Sequence, residues 1–171
     1  MKVLIVYSTK GGVSRECALM IGEQLSGSMQ VDIFDVKKGA PSPDGYDVAV
    51  IGGSIRMARL NKSMRKYLKE HADALNKINT ALFLCCGITE DFDDYVKMNF
   101  PKNIIPTLGI HFFGGELKPE KLKGLDKLIV KSMRSTIKYE DFEAPDPNRS
   151  PLPEILPENI NRLADSIRNL L

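Results

Sequence analysis

The alternation of apolar and polar stretches predicts a regular succession of strands and helices. Residues 2–7 form a nearly continuous apolar run, which is typical of a strand buried on both faces. Further strands are predicted over 31–36, 47–51, 80–86 and 107–113. Helices are predicted over 13–26, 61–75, 91–99, 119–137 and 158–170, most of which carry apolar side chains at helical spacing.

Because strands and helices alternate, the pattern predicts an α/β fold whose parallel sheet is covered by helices on both faces. Residues 31–36 alternate between apolar and polar and indicate an edge strand. No internal repeat or linker is visible, so residues 1–171 are interpreted as one domain with an insertion at about 116–155. Five of the ten prolines lie within 145–157, which predicts an extended, irregular segment rather than a domain boundary.

The composition is that of an ordinary globular domain, with 43% hydrophobic and 27% charged residues. No apolar run approaches the roughly 20 residues that a membrane-spanning helix needs, and the first residues lack the features of a signal peptide. A cytoplasmic location is therefore expected. Cys17, Cys85 and Cys86 are too few and wrongly spaced for a disulfide scaffold or a zinc site, and are interpreted as small buried hydrophobic residues.

The loop between the first predicted strand and the first predicted helix has the character of a phosphate site. Its sequence is Ser8-Thr9-Lys10-Gly11-Gly12-Val13-Ser14. A helix N-terminus presents unpaired N–H groups and the positive end of its dipole, the glycines permit a tight turn, and the hydroxyls add donors. The loop matches neither a Walker A motif nor G-x-G-x-x-G. An ordinary strand-to-helix turn is the alternative.

Two further loops follow predicted strands and are expected at the same edge of the sheet. One begins at Gly52-Gly53 and runs to Arg56, and the other is Cys86-Gly87-Ile88-Thr89. In a sheet of strand order 2-1-3-4-5, the carboxyl ends of strands 1, 3 and 4 are neighbours, and ligands bind where the strand order reverses. One loop would hold a phosphate, and the other two would flank a flat ring.

At these residues the chain resembles the flavodoxin-like superfamily, and more narrowly the flavodoxin-domain family that includes menaquinone-dependent protoporphyrinogen oxidases. The resemblance is carried by Tyr7 to Gly12, Val50 to Arg56 and Tyr67 to Asn76, and by Gly114 to Leu117 before the insertion. It implies a flavodoxin-like three-layer sandwich with a five-stranded parallel sheet of order 2-1-3-4-5 and a helical insertion after strand 5.

The resemblance also implies bound flavin mononucleotide (FMN). Transferred position by position, its contacts would be Ser8, Thr9, Lys10, Gly11, Gly12, Val13 and Ser14 at the phosphate, and Gly53, Ser54, Ile55, Arg56, Met57, Cys86, Gly87, Ile88 and Thr89 around the ribityl chain and ring. Met57 stands where the oxidases have an aromatic residue, and the chain has no tryptophan, so Met57 and Ile88 are expected to flank the ring. No side chain is assigned as a catalytic acid or base.

The charge distribution bears on partners. The net charge is only +2, but residues 56–70 hold six basic residues and one acid, and residues 117–138 hold seven basic residues and two acids. These stretches would attract an anionic, porphyrin-like substrate or an anionic membrane surface. Residues 119–138 are interpreted first as a helix that packs on the domain and exposes a lysine face, with contact to a membrane or partner as the alternative. Nucleic-acid binding is not expected, because no nucleic-acid motif is present.

Three functions are compatible with these features. The first is an FMN-dependent oxidoreductase of the protoporphyrinogen–quinone type, to which the resemblance points. The second is a flavodoxin electron carrier that docks to redox partners and has no substrate of its own. The third is an interaction module that no longer binds FMN. A homodimer is compatible with all three. His71 and His111 are interpreted as structural, with a proton shuttle as the alternative.

Overall fold

A computed structural model of the chain describes residues 1–86, 92–115 and 154–171. Its sheet has five strands in the order β2-β1-β3-β4-β5, and every neighbouring pair is parallel. The strands are β1 (Lys2–Ser8), β2 (Gln30–Asp35), β3 (Val48–Ser54), β4 (Asn79–Cys85) and β5 (Ile110–Phe112). The predicted fold class and strand order are confirmed, and β2 lies at the predicted edge.

Alternate residues of β1 face the two covering layers. Val3 and Ile5 belong to the core shared with α1 (Val13–Leu25) and with the C-terminal helix, numbered here α5 (Pro157–Arg168). Leu4 and Val6 belong to the opposite core, which is shared with the remaining helices. These are α2 (Lys62–Glu70), α3 (Ala72–Leu75) and α4 (Phe92–Asn99). The four β1 residues are fully buried, as the continuous apolar run predicts for a central strand.

The predicted helix over 61–75 is wrong in one respect, because it is interrupted at His71. That residue ends α2 and precedes α3, with φ −111° and ψ 14°, outside the helical region. Its imidazole lies against the Tyr67 ring, with a centroid separation of 4.4 Å. Ala72 and Leu75 are buried beyond the break. The periodicity survives the break because both helices turn their apolar faces to the same core.

The predicted fifth strand is longer than the observed one. Residues 107–109 form a turn, in which the Gly109 N–H donates to Pro106 O and Gly109 has a φ of 85°. The Thr107 hydroxyl accepts the N–H of Thr80 at 3.1 Å, while the Leu108 N–H still donates to Thr80 O and the Leu82 N–H to Gly109 O. A side-chain bond and a left-handed glycine thus delay the strand to Ile110.

The insertion lies almost entirely outside the described residues, including the predicted basic helix over 119–137. Its end is visible, where Ile155 forms an antiparallel bridge with Gly114. The Leu156 N–H donates to Phe113 O at 3.0 Å. The chain therefore returns beside the end of β5 before α5 begins. Within the described ranges, no helix is long and apolar enough to cross a bilayer.

Candidate functional site

The candidate site is a cleft of about 430 Å³ at the carboxyl ends of β1 and β3. This is the edge at which the strand order reverses, where ligands of such sheets bind. The described lining residues are Ser8, Thr9, Lys10, Lys37, Ser54, Arg56, Met57, Arg59, Leu60 and Asn61. Another depression of similar volume lies at the opposite edge, beside Asp47 and Asn79, and does not share this placement.

The loop between β1 and α1 presents main-chain donors. Gly12 precedes the helix in a left-handed conformation with a φ of 102°, and its N–H donates to the Thr9 hydroxyl at 2.9 Å. The first α-helical bond runs from the Glu16 N–H to Gly12 O. Helix geometry therefore leaves the N–H groups of the three residues before Glu16 without an intrahelical acceptor. These groups and the helix dipole favour an anion.

The hydroxyls of this loop do not all face the cleft. Ser14 is fully buried, and its Oγ shares a 2.5 Å hydrogen bond with Ser54 Oγ. Val13 is also buried, with 9% of its surface exposed. The Thr9 hydroxyl is engaged by Gly12, as above. Ser14 thus ties the start of α1 to the end of β3, and any contact of Val13 and Ser14 with an anion would come from their main chain.

Ser8 is the hydroxyl that remains available at the floor of the cleft. Ser8 is 1% exposed, and its Oγ has no hydrogen-bond partner among the described residues. Gly53 lies directly opposite in the register of β1 and β3. A Cβ at Gly53 would come within 2.2 Å of Ser8 Oγ and 2.6 Å of Ser8 O. An orphaned buried hydroxyl that lines a cleft is a ready partner for a polar ligand group.

The loop after β3 is a tight two-residue turn. Arg56 and Arg59 exchange two main-chain hydrogen bonds of 3.0 Å, and the intervening Met57 and Ala58 have positive φ values of 47° and 61°. Such values are normally taken by glycine or asparagine. Met57 is 76% exposed at the tip. This segment, residues 56–59, is called the arginine turn below.

Asn99, at the end of α4, fixes the arginine turn from behind. Its Oδ1 accepts the N–H of Leu60 at 2.7 Å, and its Nδ2 donates to Ala58 O and Tyr95 O at 2.8 Å each. Asn99 is only 5% exposed, and its amide pairs with main-chain groups inside the bend, at Ala58, and directly after it, at Leu60. Arg59 adds a bond from Nη1 to Met98 O at 3.0 Å.

The described wall of the cleft is basic. Its charged residues are Lys10, Lys37, Arg56 and Arg59, and no carboxylate occurs among the described lining residues. Lys37, in the short 3₁₀ helix Val36–Lys38 after β2, donates from Nζ to Thr9 O at 2.5 Å. That bond links the end of β2 to the loop before α1. The sum of these charges favours anionic ligands.

The third predicted loop is only partly described. Cys86 is buried, and Gly87, Ile88 and Thr89 lie outside the described residues. The neighbouring backbone brings this loop to the second one, since Ser54 pairs with Cys85 and the Ile55 N–H donates to Cys85 O at 2.9 Å. The carboxyl ends of β3 and β4 are thus neighbours, as the confirmed strand order requires, and contact of the third loop with a cofactor stays a prediction.

The three cysteines are buried free thiols, as predicted. The Cys85 thiol donates to Cys17 Sγ at 3.8 Å. This hydrogen bond, together with burial, raises the pKa of Cys85 well above its ordinary value, so the thiol stays neutral. The histidines lie away from the described cleft wall. His111 Nε2 contacts Leu108 O at 2.8 Å, and the His71 ring packs on Tyr67.

The sequence analysis does not predict five residues of the site. Lys37, Arg59, Leu60 and Asn61 line the cleft, and Asn99 supports the arginine turn. Lys37 could have been found from topology, because it directly follows β2 and β2 neighbours β1. Asn99 carries no sequence signal, since its role depends on α4 packing behind the loop after β3.

Sequence comparison with known proteins finds a family model and curated relatives. The family model described as "Flavodoxin domain" matches residues 4–143. Protoporphyrinogen IX dehydrogenase [quinone] of Escherichia coli (strain K12) is 34% identical over 85 residues, which cover 48% of this chain and 47% of that protein. The chain thus matches about half the length of this curated relative.

One solved structure supports the fold, and a second is reported beside it. A flavodoxin from the domain Archaea superposes with a TM-score of 0.50 at 17% identity, covering 78% of this chain and 93% of that one. Oxidised flavodoxin 1 from Bacillus cereus gives a TM-score of 0.48 at 13% identity, covering 79% and 94%. Because the family model spans well over half of its residues, the chain belongs to the flavodoxin-domain family.

Proposed function

We propose that this protein binds FMN in the cleft and acts as an oxidoreductase that passes electrons from a reduced, anionic substrate to a quinone. The observation that carries the proposal is the orphaned hydroxyl of Ser8, which lines the cleft. The loop that follows Ser8 leads to the N–H groups at the start of α1, which have no intrahelical acceptor. Both kinds of donor suit the phosphate of a mononucleotide.

The phosphate would be held by the main-chain N–H groups of Val13, Ser14 and Arg15 and by the Ser8 hydroxyl. Lys10 and Lys37 line the same cleft and would add positive charge. Gly12, at φ 102°, lets the chain enter the helix without obstructing those donors. This arrangement supports a ligand with one terminal anion, since the loop matches neither the Walker A motif nor the dinucleotide-binding motif.

The ring of the cofactor would lie between the loops after β3 and β4. Ser54 to Met57 would supply one side, and Cys86 to Thr89 would supply the other, of which the last three residues lie outside the described chain. FMN, when bound, supplies the hydride or electron chemistry. The contribution of the protein is to hold the cofactor, to orient it, and to present a positive surface to the molecule that reacts with it.

A more specific proposal is that the electron donor is a porphyrinogen and that the acceptor is a quinone. Its support is the partial match to a protein named protoporphyrinogen IX dehydrogenase [quinone] and the basic wall of the cleft. Porphyrinogen side chains end in carboxylates, which positive potentials attract. Contact of the basic insertion with an anionic membrane surface, and pairing of two chains, remain predictions.

The first test is the visible spectrum of the purified protein after addition of FMN, followed by a fluorescence titration. We expect bound flavin, and we expect Ser8→Ala to weaken the affinity by about tenfold, the equivalent of one hydrogen bond to a charged group. Ser166→Ala is the matched control, since its hydroxyl bonds Arg162 O on the exposed side of α5. A protein that takes up no FMN contradicts the proposal.

The second test is an anaerobic assay of the FMN-loaded protein with protoporphyrinogen IX and menaquinone. Appearance of porphyrin fluorescence is expected. If no porphyrin forms although flavin is bound, the substrate proposal fails and the FMN proposal survives. Photoreduction separates the two redox roles, because accumulation of a stable one-electron flavin favours a carrier and a single two-electron step favours the enzyme.

A further inference from the structure

The lysine that follows β2 reaches across to the loop before α1. The strand register pairs Tyr7 of β1 with Asp35 of β2, so Thr9 and Lys37 each lie two residues beyond the same pair. Lys37 Nζ donates to Thr9 O at 2.5 Å. Both residues line the cleft, as does Ser8. The contact therefore places an ammonium group on the side of the cleft that adjoins β2.

The short 3₁₀ helix Val36–Lys38 holds the backbone of this lysine in place. Asp35 Oδ1 accepts the Lys37 N–H at 3.0 Å and so caps the helix. The side chain of Lys37 extends from this capped backbone to Thr9. Lys38 belongs to the same helix and is exposed, but it is not among the described residues that line the cleft. Two neighbouring lysines of equal charge thus differ in their position relative to the cleft.

The bond to Thr9 leaves the ammonium group with donors for a ligand. A lysine side chain has three N–H donors, and Thr9 O takes one of them. The hydroxyl of the same threonine accepts the N–H of Gly12 at 2.9 Å. Thr9 therefore links Lys37 to the turn that begins α1, and the position of the ammonium is coupled to the position of that turn.

Other donors lie along the same loop. The Ser8 hydroxyl, one residue before Thr9, is buried and has no partner among the described residues. At the other end of the loop are the main-chain N–H groups that precede the first α-helical bond, from Glu16 to Gly12 O. A phosphate monoester ends in three strong acceptor oxygens, so it can accept from a hydroxyl, main-chain N–H groups and an ammonium together.

We propose that Lys37 is a phosphate ligand of the cleft, and that it makes the cleft select a phosphate monoester over the same molecule without its phosphate. Thr9 positions the ammonium group through its carbonyl oxygen. Lys37 lies on the β2 side, with β1 and β3 between it and β4, so the inference does not depend on the loop after β4. Only the identification of the ligand as FMN rests on the proposed function.

The test titrates FMN and riboflavin, which differ by the phosphate, into the whole chain freed of flavin, and follows flavin fluorescence. We expect Lys37→Gln to weaken FMN about threefold at low salt, as befits an exposed cation, and to leave riboflavin unchanged. The loss should nearly vanish in about 1 M salt, because screening removes the contribution of the charge. Lys38→Gln removes the same charge from the next residue and should change neither affinity.

A lysine that only braces the loop would give a different result. Its loss would persist in high salt, and that outcome overturns the proposal. An unchanged affinity for FMN, equal losses of FMN and riboflavin, or equal losses in Lys37→Gln and Lys38→Gln overturn it as well. If the chain binds neither flavin, the proposed cofactor fails, and inorganic phosphate becomes the probe, followed by amide NMR shifts at residues 9–14. Shifts that require Lys37 then support this site, and their absence overturns it.

Discussion

The two loops that meet at the cleft are built in opposite ways. In the loop before α1, the left-handed position is occupied by Gly12, which adopts a φ of 102° without strain. In the arginine turn, the left-handed positions are occupied by Met57 and Ala58. The first loop is encoded by its own residues, whereas the second is imposed by contacts from α4. Local sequence and tertiary support thus reach similar backbone geometry by different means.

The largest effect is expected when the pairing of β1 with β3, which places the two loops side by side, is disturbed. In Gly53→Ala, the new Cβ would meet Ser8 Oγ at 2.2 Å and Ser8 O at 2.6 Å, so β1 and β3 would have to separate. We expect a loss of about 3 kcal/mol or more in the free energy of unfolding, measured with urea. Gly27→Ala, where a Cβ has open space, is the control. Similar stabilities of the two variants would contradict the described register.

An intermediate effect is expected from Asn99→Leu. This substitution should perturb the arginine turn and leave the loop before α1 unchanged. It removes three hydrogen bonds and leaves the Leu60 N–H buried without its partner, at a cost of about 2–3 kcal/mol. Amide NMR shifts should move at residues 56–60 and not at residues 9–14. Asn103→Leu, at an exposed position, serves as the control. Equal perturbation of both loops would show that Asn99 supports the fold in general.

The smallest effects are expected from two substitutions that change the free energy of unfolding in opposite directions. Gly12→Ala should lower the free energy of unfolding by about 1–2 kcal/mol, because alanine is strained at a φ of 102°. Ala58→Gly should raise it by about 0.5–1 kcal/mol, because relief of strain exceeds the added entropy of the unfolded chain. Thermal and urea unfolding measure both. Gly11→Ala, with open space and no left-handed φ, is the control. Destabilisation by Ala58→Gly would refute the idea of strain in the turn.

Much of the fold could be predicted because the signals are local. The run from Val3 to Val6 specifies a central buried strand, and the stripe through Cys17, Ile21 and Leu25 specifies a helix that packs on it. The break at His71 and the late start of β5 could not be predicted. Both depend on side-chain contacts that periodicity does not contain, such as the Thr107 hydroxyl on the Thr80 N–H.

The same division holds within the candidate site. The position of the loop before α1 follows from its glycines and hydroxyls, so Ser8 and Gly12 could be selected from the sequence. The partner of each hydroxyl could not be predicted, since Ser14 bonds Ser54 across forty residues. Of the three hydroxyls in this loop, that of Ser8 has no partner among the described residues. The support of the arginine turn by Asn99 could not be predicted either, because Asn99 lies 41 residues from Ala58.

The sequence by itself determined the α/β class, the order of elements and the loop that begins the first helix, because apolar periodicity and glycine placement act over a few residues. The tertiary structure alone decided which polar groups are left unpaired in the cleft and which residues hold the arginine turn. Hydrogen bonds between distant segments depend on packing that brings them together, and no local pattern records those partners.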